Sequence, residues 1–325
     1  MHAKGEIQKL LHAKGEIQKL VVNSTKPLPG PASAANPISR TSSTTRAHLT
    51  NVTFASLSIS PLTKRAVAEI LCYETLTAVQ AETLPLALQG IDLIAKARTG
   101  TGKTVAFLLP TIERLLAAGR GDGGVRAVAI SPTRELASQI HAEAEQLISF
   151  HPQLSSRAVV GGTKVQQDVS ALAHRPPSIL VATPGRLNDL LHEQGMLHAF
   201  SSLQVLIFDE ADQLLDMGFR PAIERILSAL RSTAATRQTL LFSATMPQDV
   251  AQVAKIATRP GAKMVDTVGE ESNTNAQVAQ SATVCAAAAQ PAELFTLLQQ
   301  LMVGEYKVVA ILPKAYSEAC SEACS

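Results

Sequence analysis

Aromatic rings and cysteines are scarce in this chain. Aromatic residues make up 3% of its 325 residues. Proteins that read single-stranded bases stack them on aromatic side chains, so sequence-specific base recognition is not expected here. The cysteines lack the paired spacing of a zinc site, which favours free thiols in a reducing compartment. They are Cys72, Cys285, Cys320 and Cys324.

Charge and long apolar runs are also limited. Charged residues make up 17% of the chain, against about 25% in an ordinary soluble domain. The net charge is +2, so any basic surface must be local. No apolar run approaches the roughly 18 residues of a membrane span, so no membrane contact is expected. The hydrophobic fraction of 46% is ample for a folded core.

The first 50 residues are predicted as a disordered leader or as an organellar transit peptide. Residues 2–10 recur at 12–20, and two copies of so short a unit are too few for a repeat fold. Residues 17–68 contain no Asp or Glu and many Ser and Thr. An acid-poor, hydroxyl-rich leader is typical of mitochondrial and chloroplast targeting, while Pro- and Ser-rich composition is equally typical of disorder. Cytoplasm or nucleus is the location if the leader is not a targeting signal.

Residues 51–268 alternate short apolar runs with longer helical stretches. This pattern predicts an α/β domain of three layers, with a parallel sheet between helices. In such sheets, ligand sites form at the carboxyl ends of the strands. The strands are predicted at 93–95, 127–130, 158–160, 179–182, 205–208 and 239–242, with helices such as 103–117 and 134–149.

A phosphate-binding loop follows the first of these strands. Residues 97–104 have the Walker A arrangement, with Ala97 in place of the usual first glycine. Gly100 and Gly102 allow the backbone to curl its N–H groups towards phosphate oxygens. Lys103 would reach the β- and γ-phosphates, and Thr104 would bind Mg²⁺. The alternative is a glycine-rich turn with a solvated lysine. The residues predicted to hold the nucleotide are Thr99, Gly100, Thr101, Gly102, Lys103 and Thr104.

An acidic motif follows the strand at 205–208. Asp209 and Glu210 at a strand end, downstream of a phosphate loop, match the Walker B arrangement. Asp209 would hold Mg²⁺, and Glu210 would polarise the attacking water as a general base. Taken alone, the motif could also be an ordinary acidic helix N-terminus.

These residues resemble the DEAD-box family of RNA-dependent ATPases. Residues 209–212 spell the name of the family, and further signatures follow the family's order. The resemblance covers about residues 54–268 and implies a RecA-like P-loop domain that uses ATP and Mg²⁺. Residues 151–163 also resemble the Mss116-type branch of mitochondria and plant organelles. The matching segments are 73–80 (Q motif), 132–137 (motif Ia), 161–162 (glycine doublet), 183–186 (motif Ib) and 243–245 (motif III).

The resemblance assigns roles to individual residues. Gln80 matches the residue that hydrogen-bonds adenine, and Phe54 matches the family's isolated aromatic. Cys72 and Leu76 depart from the family, which favours Gly and Pro there. Ser243, Thr245 and Asp212 match the residues that couple nucleotide to RNA. The track for the RNA backbone, read without sequence specificity, is matched by Thr133, Arg134, Gly161, Gly162, Thr183, Gly185 and Arg186. For the two arginines, a structural salt bridge is the alternative.

Residues 269–325 are predicted as a linker and the short start of a second RecA-like domain. The linker is expected at 269–280, a helix at 291–302 and a strand at 307–312. The arginine motif of the family's second domain has no match after Thr245, so this polypeptide, a monomer, is expected to bind ATP with little hydrolysis and no unwinding. The alternative is a natural, non-catalytic half-helicase that binds nucleotide or partners. The Q motif and the Asp209–Asp212 tetrapeptide disfavour a DNA translocase.

Overall fold

The computed structural model of the protein describes residues 20–23, 49–119, 123–162, 164–268 and 307–309. Its strands are β1 (Leu20–Asn23), β2 (Leu49–Thr53), β3 (Thr75–Thr77), β4 (Leu93–Lys96), β5 (Ala127–Ile130), β6 (Ser156–Val159), β7 (Ile179–Ala182), β8 (Val205–Phe208), β9 (Gln238–Ser243), β10 (Lys263–Asp266) and β11 (Lys307–Val309). Its α-helices are α1 (Pro61–Glu69), α2 (Ala78–Leu88), α3 (Lys103–Ala117), α4 (Arg134–Leu147), α5 (Val165–His174), α6 (Pro184–His192), α7 (Ala211–Asp216), α8 (Arg220–Ala229) and α9 (Gln248–Ala257).

A seven-stranded parallel sheet forms the centre of the domain. Its strand order is β10-β4-β9-β8-β5-β7-β6, and each neighbouring pair is parallel. Strands β5, β7, β8 and β9 are buried along their whole length. Continuous burial is what a sheet covered on both faces requires.

Two hydrophobic cores cover the two faces of this sheet. Along β5, Ala127 and Ala129 belong to one core, while Val128 and Ile130 belong to the other. The first core contains the apolar side of α3, including Phe107 and Ile112. The alternation follows from the two-residue period of a strand. The predicted three-layer α/β fold is therefore confirmed.

The described residues also form two smaller, two-stranded sheets, of which β2–β3 belongs to the same compact unit as the large sheet and β1–β11 to another. Strands β2 and β3 pair antiparallel ahead of α2, and β1 pairs antiparallel with β11. Strand β1 lies within the stretch predicted as a leader, and β11 covers the first part of the strand predicted at 307–312. The rest of residues 1–48, the linker at 269–280 and the helix at 291–302 lie outside the described residues.

Most predicted strands match those of the structure within two residues. Strand β10 was not predicted, and neither was the β2–β3 pair. Within the part of the chain that the structure describes, no helix is both long and apolar enough to cross a membrane.

Candidate functional site

The predicted site residues lie at one edge of the sheet. Because the strands are parallel, their carboxyl ends meet at this edge, where ligands bind in open α/β sheets. The phosphate loop follows β4, the Thr133 segment follows β5 and the glycine doublet follows β6. Thr183 follows β7, the acidic motif follows β8 and Thr245 follows β9.

The phosphate loop has the backbone that its glycines predict. Gly100 and Gly102 have φ angles of 76° and 85°, in the left-handed region that glycine enters at little cost. Helix α3 begins at Lys103 directly after Gly102. The free N–H groups of this helix start, with its positive dipole end, suit a phosphate group.

Gln80 is fastened to the phosphate loop. Its Nε2 donates to the carbonyl oxygen of Gly102 at 3.0 Å, and its Oε1 accepts from the backbone N–H of Thr77 at 3.0 Å. A Cβ on residue 102 would lie 2.5 Å from this Nε2, so only glycine fits there. The amide keeps one N–H and one lone pair for a further partner. That capacity suits the edge of adenine, the role predicted for Gln80.

Two aromatic rings stack beside this segment. The rings of Phe54 and Tyr73 lie 6.5 Å apart at an interplanar angle of 26°. Phe54 is only 3% exposed, whereas Tyr73 is 45% exposed. Phe54, predicted to bind the nucleotide, therefore has little ring surface to offer and supports Tyr73. Tyr73 has the solvent-exposed ring, and the sequence analysis assigned it no role beyond being the first residue of the Q motif.

A buried ion pair joins the phosphate loop to the acidic motif. Lys103 Nζ lies 2.8 Å from Glu210 Oε1, with side-chain exposures of 6% and 8%. Glu210 has a φ of 47°, an uncommon value for a residue with a side chain. Its second oxygen, Oε2, is buried with no hydrogen-bond partner in the described structure. Strain and an unsatisfied carboxylate oxygen at one residue are typical of a functional site.

Asp209 lies next to this pair and has a perturbed pKa. Burial, and then the neighbouring charge of Glu210, raise the pKa of Asp209 to about 7. A carboxyl with such a pKa gains from a cation beside it. Asp209 and the Thr104 hydroxyl are oxygen ligands of the kind Mg²⁺ prefers, and Mg²⁺ usually completes its shell with substrate phosphates and water. The residues present therefore fit the ion.

The three predicted coupling residues are in direct contact. Asp212 Oδ2 accepts hydrogen bonds from the backbone N–H and the hydroxyl of Thr245, at 2.9 and 2.8 Å. The N–H of Asp212 donates to Ser243 Oγ at 3.1 Å. Burial alone would raise the pKa of Asp212, but its hydrogen bonds with Thr245 and Ser243 outweigh burial and lower it. This cluster ties the acidic motif to the end of β9.

Arg134 lies against the glycine doublet. A Cβ on Gly162 would be 2.5 Å from Arg134 Nη1, and one on Gly161 would be 3.4 Å from Nη2. Gly162 also has a φ of 102°. The doublet therefore admits the guanidinium of Arg134 to a position that a larger residue would block. Thr133 caps helix α4, which begins at Arg134, because its side chain accepts a hydrogen bond from the N–H of Leu136 at 3.2 Å.

Arg186 is buried and pairs with Asp168 of helix α5. This contact supports the salt-bridge alternative that the sequence left open, and Asp168 was not predicted. Its neighbour Gly185 is different, because a Cβ there would meet no heavy atom within 4 Å. Gly185 thus presents open backbone at the start of α6.

A family model described as DEAD/DEAH box helicase matches residues 77–253. Over 284 residues the chain is 42% identical to DEAD-box ATP-dependent RNA helicase 26 of Oryza sativa subsp. japonica, covering 85% of this chain and 52% of that protein. Over 277 residues it is 44% identical to helicase 31 of the same plant, covering 82% and 50%. The chain spans about half the length of the curated relatives it matches.

Two solved structures are similar to the chain. The structure of Mss116p bound to ssRNA and AMP-PNP has a TM-score of 0.70 and 32% sequence identity, covering 77% of this chain and 53% of that one. A DEAD box protein from the hyperthermophile Methanococcus jannaschii has a TM-score of 0.59 and 33% identity, covering 66% and 55%.

Proposed function

The chain belongs to the DEAD/DEAH box helicase family, and we propose that it supplies the ATP-binding and one RNA-binding surface of an ATP-dependent RNA helicase. The observation that carries the proposal is the buried contact between Lys103 and Glu210. The proposal draws support from this contact because Lys103, the lysine proposed to bind phosphate, touches Glu210, the candidate general base, near the strand ends that also carry Thr133, Gly162 and Gly185.

ATP would bind across the start of helix α3. Gln80 meets the adenine edge, the exposed ring of Tyr73 stacks on the base, and the loop N–H groups hold the phosphates. Lys103 then exchanges the carboxylate of Glu210 for a phosphate oxygen. That exchange frees Glu210 to act as a general base on the attacking water.

Mg²⁺ would be held by Thr104 and Asp209 together with oxygens of the nucleotide. Among the described residues no group of three or more His, Cys, Asp or Glu side chains could hold a metal by itself. An ion that enters with the nucleotide agrees with this, since Mg²⁺ sites in nucleotide-using proteins contain few protein ligands. When bound, the ion neutralises charge that develops on the phosphates.

A single strand of RNA would lie along the ends of β5, β6 and β7, bound by its backbone. Thr133, Gly161, Gly162, Thr183 and Gly185 offer hydroxyl and backbone groups, which suit phosphate and 2′-OH contacts. Arg134 and Arg186 support this surface by holding the doublet and the start of α6 in place. The Asp212–Thr245 hydrogen bonds connect the nucleotide side with the end of β9.

Nucleotide binding and hydrolysis by the 325-residue chain test the proposal. We expect a fluorescent ATP analogue to bind the unchanged chain and Glu210→Gln, and to bind Lys103→Ala much more weakly. Turnover of the 325-residue polypeptide by itself should stay near that of Glu210→Gln, because an arginine finger is worth roughly 10³–10⁵ in rate and residues 246–325 contain no match to the family's arginine motif. Equal binding by all three proteins would contradict the proposed nucleotide site.

RNA binding is tested separately with Gly185→Ala. The added methyl group would meet no heavy atom within 4 Å in the protein, so the free energy of unfolding should not fall and should rise by roughly 0.4–1 kcal/mol as the freedom of glycine in the unfolded chain is lost. Affinity for single-stranded RNA should fall, because the methyl group occupies the surface where the backbone approaches. Unchanged affinity would remove Gly185 from the RNA track, and tighter binding of DNA than of RNA with the same sequence would contradict RNA as the substrate.

A further inference from the structure

A groove lies at the amino-terminal ends of strands β5, β6 and β7, whereas the candidate ATP site lies at the carboxyl ends of the strands. A cavity of about 410 Å³ opens beside residues 154–157, with walls that include Glu145, His151 and Arg175. A second cavity of about 330 Å³ adjoins it and shares Leu154, Ser155 and Arg175. We call the two cavities together the arginine groove. No residue of the candidate ATP site lines either cavity.

The charge of the arginine groove favours an anion. Arg157 and Arg175 are exposed, and within the described ranges neither forms an ion pair. Glu145, the single carboxylate among the residues lining the larger cavity, already accepts from the backbone N–H of Ser156 at 3.0 Å. Among the described residues, the guanidinium groups of Arg157 and Arg175 therefore line the groove without a hydrogen-bonding partner, whereas Arg126, which lines the smaller cavity, already donates to the Leu115 and Gly119 carbonyls. Guanidinium groups are the preferred partners of phosphate oxygens.

The hydroxyl groups of the groove add to this preference. Ser155 Oγ accepts from the N–H of Ser178 at 3.4 Å, which leaves its own proton available to a ligand. Arginine and serine side chains are common partners of nucleic-acid phosphates. A protein segment would be recognised through apolar anchors, whereas here polar side chains dominate the walls.

The edge strand β6 connects the groove to the proposed RNA track. Strand β6 is the last strand of the sheet on this side, and it begins at Ser156, one residue before Arg157. Gly161 of the track follows only four residues after Arg157. At about 3.3 Å per strand residue, that separation is roughly 13 Å. A strand of RNA that leaves the glycine doublet along this edge would reach Arg157 and then Arg175.

We propose that the arginine groove is a second binding site for the RNA backbone, which holds the part of a longer strand that extends past the glycine doublet. This inference rests on the proposed function, because it assumes RNA at the doublet. It adds a site outside that track. Long RNA contacts both surfaces, while short RNA contacts only the first.

The test compares two RNA lengths by fluorescence anisotropy on the 325-residue chain. Single strands of about 5 and about 16 nucleotides span the usual range of site sizes. The variant is Arg157→Glu with Arg175→Glu. The control with the same change of net charge is Arg231→Glu with Lys255→Glu, two exposed basic residues that line neither cavity. Circular dichroism and binding of a fluorescent ATP analogue verify that each variant is folded.

For the double variant we expect roughly a tenfold loss of affinity for the long RNA and less than about a twofold loss for the short one. The slope of log affinity against log salt should fall by roughly 1.4 for the long RNA, since each phosphate contact to a single strand contributes about 0.7. The control should change neither value by more than about twofold.

Three results would overturn the inference. The first is an unchanged affinity for long RNA, and the second is an equal loss for both lengths. The third is an equal loss in the control variant, Arg231→Glu with Lys255→Glu. A phosphoserine peptide that binds the unchanged chain, but not the double variant, while long RNA binds both equally would assign the groove to a protein partner instead. If even the short RNA fails to bind the unchanged chain, the proposed function itself is wrong. Comparing the two lengths therefore separates a failure of the proposed function from a failure of the groove.

Discussion

Cys72 has a backbone conformation that favours glycine. Its φ is 54°, and it stands where the sequence resemblance expects Gly. A side chain in this region costs about 1 kcal/mol or more. We expect Cys72→Gly to raise the free energy of unfolding by about 0.5 kcal/mol, since the greater freedom of glycine in the unfolded chain offsets part of the relief. Thermal unfolding followed by calorimetry measures the difference.

The control for this change is Cys72→Ala. It removes the thiol but keeps the Cβ, so the backbone strain remains and stability should not rise. If alanine stabilises the protein as much as glycine does, the thiol rather than the positive φ is the source of the cost.

His151 is a buried histidine whose tautomer follows from its neighbours. Thr63 Oγ1 lies 2.5 Å from Glu113 Oε1, and since a carboxylate only accepts, Thr63 donates its single proton there. The 3.0 Å contact between Thr63 Oγ1 and His151 Nε2 then requires the proton on Nε2. His151 Nδ1 is left as a buried lone pair with no partner among the described atoms.

This arrangement predicts a loss of stability in acid. Burial lowers the pKa of His151 below its ordinary value of 6.5, and the nearby Glu113 carboxylate opposes this only partly. The unfolded chain therefore takes up a proton at a higher pH than the folded one. Stability is full above about pH 6.5 and falls below it, by up to about 1.4 kcal/mol per pH unit.

His151→Gln is the test of this pH dependence. The Gln side chain can still donate to Thr63, but it does not titrate, so its unfolding temperature should fall less between about pH 6.5 and about pH 5. His174→Gln, at an exposed histidine, should leave the original slope in place. Parallel pH profiles for all three proteins would show that His151 does not titrate on unfolding.

At the scale of elements, the sequence predicted those strands that form continuous apolar runs and missed those that do not. Strands β5, β7 and β8 are short runs of apolar residues buried on both faces, and their bounds were correct. Strand β10 was missed because only Val265 of its four residues is buried, so it shows no apolar run. The β2–β3 pair was missed because its paired residues, Leu49 with Thr77 and Thr53 with Thr75, are far apart in the chain and most residues of both strands are partly exposed.

Strand β10 is held by a salt bridge that sequence patterns do not reveal. Asp92, just before β4, accepts from Arg259 Nε at 2.9 Å and from its backbone N–H at 2.7 Å. The backbone carbonyl of Asp92 also accepts from Lys263 N–H at 2.9 Å, where β10 begins. The salt bridge between Asp92 and Arg259 joins positions 167 residues apart, so only the fold brings the two residues together.

We expect Asp92→Ala to destabilise the domain by about 2 kcal/mol, because it removes the acceptor of the Arg259 N–H and of part of its guanidinium, which still donates to the Gly90 carbonyl. The matched control is Lys96→Ala, which breaks the more exposed pair with Asp266 and should cost less than about 1 kcal/mol. Urea unfolding gives both values. Similar losses in the two variants would mean that the Asp92 contact stabilises no more than a surface pair.

At the scale of the whole molecule, the stability lies in the sheet and its two cores, while the candidate site at the sheet edge opposes it. Motif spacing predicted which residues meet at that edge, because parallel strands bring their ends together. It did not predict the burial of Phe54, the Arg186–Asp168 pair or the left-handed Glu210. Those depend on helix packing, which one sequence without a structure does not specify.

The cost of the site should be measurable at Asp209. The pKa of this carboxyl is raised from 3.8 to about 7 in the folded protein, so its burial lowers stability progressively as pH rises from about 4 to about 7, and fully above that. Asp209→Asn keeps the shape without the charge. We expect it to raise the free energy of unfolding of the nucleotide-free protein by about 2 kcal/mol at pH 8, and by less at pH 5. The same change should weaken Mg²⁺-dependent nucleotide binding. A gain in stability that is equal at both pH values would show that the charge of Asp209 is not its source.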